Sequence, residues 1–315
     1  MSASQSRTRE RDLTLMAHVA RKHYVGGMSK SDIAEQLFLS RFKVARLLQA
    51  AHDEGIVQIT VNLPGDLNLN LSREMEETFR LRHVVVIDDG PDPSELAHRL
   101  GEAAVSLLAQ VIREGDLVGL ASTRTLMGIA DTSAPIPRCT FVQLTGQLPR
   151  VDAADVIGSI RSLTRMSGGR AHVFYAPMIA SSEGARRSYM VQPEVCRAFE
   201  LFPQLDVFVS GVGTWRPALS VIYDHLPPEV RHDADERGAV AEVVGMPIDS
   251  HGRTVPSAAH QHVVAPDIEM LSQARERIAV VFDERKAESV HLALRHHLMN
   301  GIVTHRSLAE AVLAL

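Results

Sequence analysis

Apolar positions follow two different rhythms along this chain. From Leu13 to Ala51 they fall at helical spacing and in short groups. Leu13, Met16, Ala17 and Ala20 mark a first helix, which Gly26-Gly27 ends. Ile33, Ala34 and Leu37 mark a second. A short break follows at Phe38-Leu39, and Ser40 stands where it can cap a third helix. Val44, Leu47, Leu48 and Ala51 then recur at i, i+3, i+4 and i+7, the spacing of one buried helix face. That face turns Arg41, Phe42, Lys43 and Arg46 outward at the start of the helix. Gly55 stops it, and Ile56 to Val61 alternates like a strand. The pattern predicts a helix-turn-helix with a trailing wing. In such units the early residues of the second helix enter the major groove of DNA. Two amphipathic helices in series also make plain packing modules. The tight turn, the serine cap, the basic helix start and the strand behind it favour DNA.

After Asn62–Asp66, a turn-rich boundary, Leu71, Met75 and Phe79 predict a linker helix, of a kind that could pair chains. From His83 the rhythm changes to short apolar runs alternating with longer amphipathic stretches. Strands are expected at Val84–Ile87, Leu117–Ala121, Thr140–Leu144, Val173–Tyr175, Leu205–Val209, Ile278–Phe282 and Ile302–Thr304. Helices are expected through Leu96–Val111, Val156–Leu163 and Ala287–Leu298, with a last one from Leu308. Continuous apolar strands between helices imply a mostly parallel sheet covered on both faces. The expected fold class is α/β: an N-terminal winged helix-turn-helix (1–61), a linker helix (62–82) and a Rossmann-like domain (83–315).

Charge sharpens this division. The 315 residues carry a net charge of −5, but the first 61 hold an excess of positive charge. A basic head on an acidic body suits a DNA reader joined to a part that does not touch DNA. The 45% hydrophobic content is that of an ordinary globular chain. Two distant cysteines, Cys139 and Cys196, suggest neither a disulfide framework nor a zinc site. Residues 1–10 read as disordered and show no apolar signal core. No apolar run approaches the roughly 20 residues needed to cross a bilayer. A cytoplasmic protein is expected.

Six stretches in order carry a resemblance: IAEQLFLSRFKVARLLQAAHDEGIV, GDLVGLASTRTL from Gly115, VQLTGQ from Val142, DVFVSGVG from Asp206, ERGAVAEVVGMPIDSHG from Glu236 and ERKAESVHLALR from Glu284. Together they resemble the SorC family of bacterial sugar-sensing transcription regulators. The resemblance implies a homo-oligomer, dimer or tetramer, that binds operator DNA. A small carbohydrate, polyol or sugar-phosphate effector would change that binding. Two positions depart from the family pattern. Ser122-Thr123 stands in place of a Trp-Gly pair, and Phe282-Asp283 in place of a Gly-Gly pair before the site lysine. Each departure puts a side chain where glycine would allow close backbone approach.

The candidate DNA contacts are Ser40, Arg41, Phe42, Lys43 and Arg46. The candidate effector site begins with Ser122, Thr123, Arg124 and Thr125, between a strand and a helix, where hydroxyls, a guanidinium and helix-start N–H groups can cradle oxygens. The resemblance adds Glu242, as acceptor for sugar hydroxyls, and Lys286 at the site-lysine position. Gln147, after Leu144-Thr145-Gly146, is a further possible donor. Each has a plainer reading: a capping turn, a surface glutamate, a solvated helix-start lysine. Asp206 and Asp249 are expected to serve turns. His260-Gln261-His262 and His296-His297 lack the company of a closed metal site, so no metal and no cofactor is expected. Trp215 either covers the pocket mouth or packs. The competing class is a sugar-phosphate isomerase or deaminase, which would need a second acid/base group beside Glu242; none stands out.

Overall fold

The computed structural model describes residues 13–57, 67–90, 92–121, 135–148 and 156–315. The predicted disordered start and the loop Ser122–Thr125 lie outside the described residues, as does the wing beyond Val57. The chain divides into two compact units, Met1–Gly65 and Asp66–Leu315.

In the first unit, α1 runs over 13–20 and ends in a π-helical turn, Arg21–Val25. α2 is Lys30–Gln36 and α3 is Arg41–Asp53. Ser29 and Asp32 form a reciprocal capping box at the start of α2, satisfying two backbone donors. Ile33, Val44, Leu47, Leu48 and Ala51 are buried with Val19, so the predicted helix faces meet in one small core. Gly55 takes φ 71° and lets Val57 N–H reach back to Ala51 O. Ile56 and Val57 pack against this core from a bend, outside any strand. The predicted wing is therefore absent at the two of its residues that are described. Both side chains are held by the helices instead.

Among the described residues the second unit holds a seven-stranded sheet. Its strands are β1 His83–Ile87, β2 Leu117–Leu120, β3 Thr140–Gln143, β4 Arg170–His172, β5 Val207–Ser210, β9 Glu276–Val280 and β10 Gly301–His305, in the order β1-β10-β9-β5-β2-β3-β4. All neighbours pair in parallel. The central strands are apolar on both faces because helices cover both. α5 (Pro93–Val111) and α6 (Val156–Ser167) pack with one face. α4 (Leu69–Phe79), α7 (Glu183–Met190), α8 (Pro193–Leu201), α11 (Ala287–Arg295) and α12 (Arg306–Leu313) pack with the other. α4, read from the sequence as a linker, belongs to this unit: Met75 and Phe79 are buried in its core.

Strand β4 corrects one expectation. Val173–Tyr175 was the predicted strand, but the chain pairs with β3 through Arg170–His172. This edge strand is largely exposed, so its sequence carries no apolar run. Phe174, beyond the strand, donates its N–H to the Gln143 side chain at 3.1 Å and is fully buried.

Between β5 and β9 the chain builds a segment that the apolar pattern did not reveal. It includes a three-stranded antiparallel sheet, β6 (Val212–Thr214), β7 (Ala241–Val243) and β8 (Met246–Ile248). Three-residue strands are too short to show an alternation. α9 (Val221–His225) and α10 (Pro228–Glu236) lie beside them, and Trp215, Ile222, Val230 and Met246 share a satellite core.

The order of strands marks where a ligand of such a sheet would bind. From β2 the chain moves outward through β3 to β4, then returns to the other side of β2 as β5 and continues through β9 to β10. The order reverses between β2 and β5, and ligands of open α/β sheets bind beyond the carboxyl ends of strands at such a point.

Candidate functional site

The head presents its candidate DNA contacts on one exposed surface. Ser40 Oγ accepts the N–H of Lys43 at 3.1 Å, fixing where α3 starts. Arg41, Phe42, Lys43 and Arg46 are all exposed, Phe42 at 85%, while Val44 between them is fully buried. Phe38, in the turn before α3, has φ 52° and is 97% exposed. Two large aromatic rings are thus held in water beside three cations.

In the body, an open cleft lies past the ends of β5 and β9. β5 delivers Ser210 and Gly211 to its floor, and the small sheet delivers Gly213 and Glu242. Gly213 and Glu242 are cross-strand partners. A Cβ on Gly213 would lie 2.4 Å from Glu242 Cγ, so the bare glycine makes room for the acidic side chain. Ser220 fixes the carboxylate. Its hydroxyl donates to Glu242 Oε2 at 2.7 Å and accepts the Tyr223 N–H at 2.9 Å, capping α9 in the same act. From the sheet side, β9 runs on to Phe282, and a 3₁₀ turn, Glu284–Lys286, brings Lys286 to the same cleft.

Of the sequence candidates, the fold therefore brings Glu242 and Lys286 together. Gln147 is not among the described residues that line the cleft. Its backbone is engaged, donating to Ala176 O at 2.8 Å and accepting from Met178 N–H at 2.7 Å. That pairing sets the neighbouring Leu148 and Met178 in the cleft wall. Ser122, Thr123, Arg124 and Thr125 lie outside the described residues. They follow β2, whose end is tied to β5 by Ala121 N–H donating to Val209 O at 3.0 Å.

Sequence reasoning missed Ser220 and the use of Gly213. Ser220 stands immediately before a helix and was legible as a cap. Gly211-x-Gly213 alone is too short for a dinucleotide fingerprint, and no local pattern says that Gly213 faces Glu242. Trp215 is 3% exposed and packs edge-on to Tyr223, so it belongs to the satellite core.

Other groups have structural partners. Asp249 accepts the N–H groups of His251 and Arg253 in a turn, and Asp206 accepts the N–H of Leu117 at 2.9 Å. His260 pairs with Asp267 at 3.1 Å; this hydrogen bond raises the imidazole pKa and lowers that of the carboxyl, though burial opposes both shifts. Burial pushes the Cys139 thiol up to about 11, far from a reactive nucleophile.

This architecture matches known proteins over nearly its whole length. Residues 66–314 match the family model described as "Putative sugar-binding domain". The sorbitol operon regulator of Klebsiella pneumoniae is 23% identical, covering 96% of this chain and 98% of that protein. The erythritol catabolism regulatory protein EryD of Brucella abortus is 24% identical over 96% of this chain and 97% of its own. The crystal structure of the full-length Klebsiella regulator, SorC, superposes with a TM-score of 0.71 at 22% identity, over 96% of this chain and 99% of that one. These relatives are regulators of transcription, and the matched domain is a sugar-binding one rather than a catalytic family. With the family model spanning the entire sheet-bearing body, the chain belongs to the SorC family of sugar-binding transcriptional regulators.

Proposed function

We propose that the cleft holding Glu242 and Lys286 is the effector site, and that a small carbohydrate or polyol bound there changes the grip of the head on operator DNA. The observation that carries this reading is the Ser220-fixed carboxylate of Glu242, in one cleft with Lys286 past the ends of β5 and β9, on the β5 side of the reversal of strand order. A carboxylate accepts several hydroxyl hydrogen bonds at once, and an ammonium donates up to three. Ser122, Thr123, Arg124 and Thr125 follow β2, on the other side of that reversal, and would complete the ring of donors. Relatives named for sorbitol and erythritol support a polyol.

In this reading a homo-oligomer, dimer or tetramer, presents paired heads to a palindromic operator in the cytoplasm. The head lies within Met1–Gly65, and the effector domain, α4 included, within Asp66–Leu315. Arg41, Lys43 and Arg46 contact phosphates or base edges, Ser40 starts the reading helix, and Phe42 meets thymine methyls. The effector shifts DNA affinity only by as much as it prefers one arrangement of subunits over another.

Calorimetry of the full chain with tetritols, pentitols and hexitols tests the site, with operator retention in a gel shift as second readout. One member should bind and alter retention. Heat without any change in DNA binding would remove the regulatory link. Turnover of sugar phosphates would instead favour the isomerase class.

A further inference from the structure

The turn that carries Lys286 into the cleft also bears on the charge of the ligand. We propose that Asp283 is a specificity-determining residue that makes this site select an uncharged polyhydroxyl ligand over its phosphate ester. The inference rests on the reading of the cleft as the effector site.

A phosphate bound past the end of a strand draws its affinity largely from backbone N–H groups at the following helix start. Between Phe282 and Lys286, both of which line the cleft, those groups are already engaged. Asp283 N–H donates to His305 Nε2 at 3.3 Å. Arg285 N–H donates to Asp283 Oδ1 at 3.1 Å, and Lys286 N–H to Asp283 O at 3.0 Å. Three of the donors that could face an anion are therefore turned to protein acceptors.

The arrangement is held firmly. Asp283 adopts φ 88°, a region that costs free energy for any residue with a side chain. Arg285 grips its carboxylate with two nitrogens, at 2.9 and 2.6 Å, and holds the carboxyl below the usual carboxylate range. His305, which receives the Asp283 N–H, is itself fixed through Nδ1 to Asp89 Oδ1 at 2.6 Å. Asp89 accepts in turn from the Ser307 N–H and hydroxyl at 3.1 and 2.6 Å. The unfavourable backbone conformation is thus over-determined from two sides.

The charges agree with the hydrogen bonds. Among the described lining residues the cleft has one cation, Lys286, and one carboxylate, Glu242. Arg285 is bound to Asp283. That pair is neutral, so among the described residues a phosphate dianion would meet the Glu242 carboxylate with only Lys286 in compensation. A neutral polyol gives Glu242 hydroxyl donors and gives Lys286 hydroxyl acceptors, with no charge left over.

The test uses the full chain, with free tetritols, pentitols and hexitols, their terminal phosphate esters, and inorganic phosphate as probes. Calorimetry reads affinity. Fluorescence of Trp215, the only tryptophan, is a second readout, because Trp215 shares its core with the cleft residue Ile222. A free polyol should bind at least tenfold more tightly than its own ester, and inorganic phosphate should leave the unfolding temperature unchanged. Asp283→Gly, which suits a positive φ, releases the Arg285 amide and guanidinium. It should narrow the preference tenfold or more and let inorganic phosphate stabilise the protein. Asp283→Asn keeps the cap without the charge and should fall between the two. An ester that binds the parent protein as tightly as the free polyol overturns charge selection but leaves the sensor reading intact. Unchanged discrimination in both variants removes Asp283 from the role. Silence toward every polyol and ester overturns the effector site itself and this inference with it.

Discussion

The helix α3 that we propose reads DNA and the cleft that we propose holds the effector carry their side chains in opposite ways. Arg41, Phe42, Lys43 and Arg46 project into water, and their placement depends only on the burial of Val44, Leu47, Leu48 and Ala51 on the other side of α3. Glu242 and Asp283 each have a protein partner before any ligand arrives, Ser220 in one case and Arg285 in the other. A surface that tracks a phosphate backbone gains from long, adaptable side chains and tolerates small errors of position. A cleft that must tell one small molecule from another needs donors and acceptors that are fixed beforehand. Substitutions in the head should accordingly alter binding without altering stability. In the cleft, the partners of each site residue should matter as well as the residue itself.

Four measurements bear on this contrast, in decreasing order of expected effect. Glu242→Ala removes a carboxylate whose hydrogen bonds are worth about 1.5–3 kcal/mol each, so effector affinity should fall about 100-fold while DNA binding survives. Calorimetry beside a gel shift checks it; an unaltered effector response would take Glu242 out of the site. Lys43→Ala should weaken operator binding about tenfold and lower the salt-dependence slope by about one, with no change in unfolding temperature. A lost transition in a thermal scan would mean that this exposed residue does support the head after all. Gly213→Ala leaves the acidic residue in place but pushes it aside, because the new methyl would lie 2.4 Å from Glu242 Cγ. Effector affinity should drop several-fold, with about 1 kcal/mol of stability lost to crowding; full retention of affinity would show that the carboxylate position is not fixed.

The smallest effect concerns pH. The hydrogen bond between His260 and Asp267 raises the imidazole pKa and lowers the carboxyl pKa, each against an opposing effect of burial. The histidine contribution is complete below its ordinary pKa and disappears as pH rises through the raised value. The aspartate contribution is present above its ordinary pKa and disappears as pH falls through the lowered value. The pair is thus strongest between about pH 4 and 6.5. Asp267→Asn should cost more at pH 5 than at pH 8 in denaturant unfolding; an equal cost at both would mean the pair is not charged where it should be.

The head was legible because its signals are local. Helix spacing, the Ser40 cap and Gly55 all act within a few residues, and the buried set Val44, Leu47, Leu48 and Ala51 followed directly. The parallel strands were legible for a related reason: strands covered on both faces must be apolar throughout. β4 was misplaced because an edge strand of Arg170, Ala171 and His172 carries no such run, while buried Phe174 beyond it does. The cleft was legible only in part. Glu242 and Lys286 came from resemblance, and no local pattern says that they meet. Ser220, 22 residues from Glu242, and His305, 22 from Asp283, are joined to them by the fold alone.

The sheet order also has a consequence for the sequence of events during synthesis. Among the described residues β1 is the first strand of the body to emerge, yet in the sheet its one neighbour is β10, at residues 301–305. Its backbone groups on that edge must wait for about two hundred further residues before they find their partners. Such long-range pairing is slow and leaves an unpaired strand edge exposed meanwhile. Among the described residues the small core of the head lies between Leu15 and Val57, so it forms without this delay. A nascent chain should therefore carry a finished reader well before it carries a receptor able to restrain it.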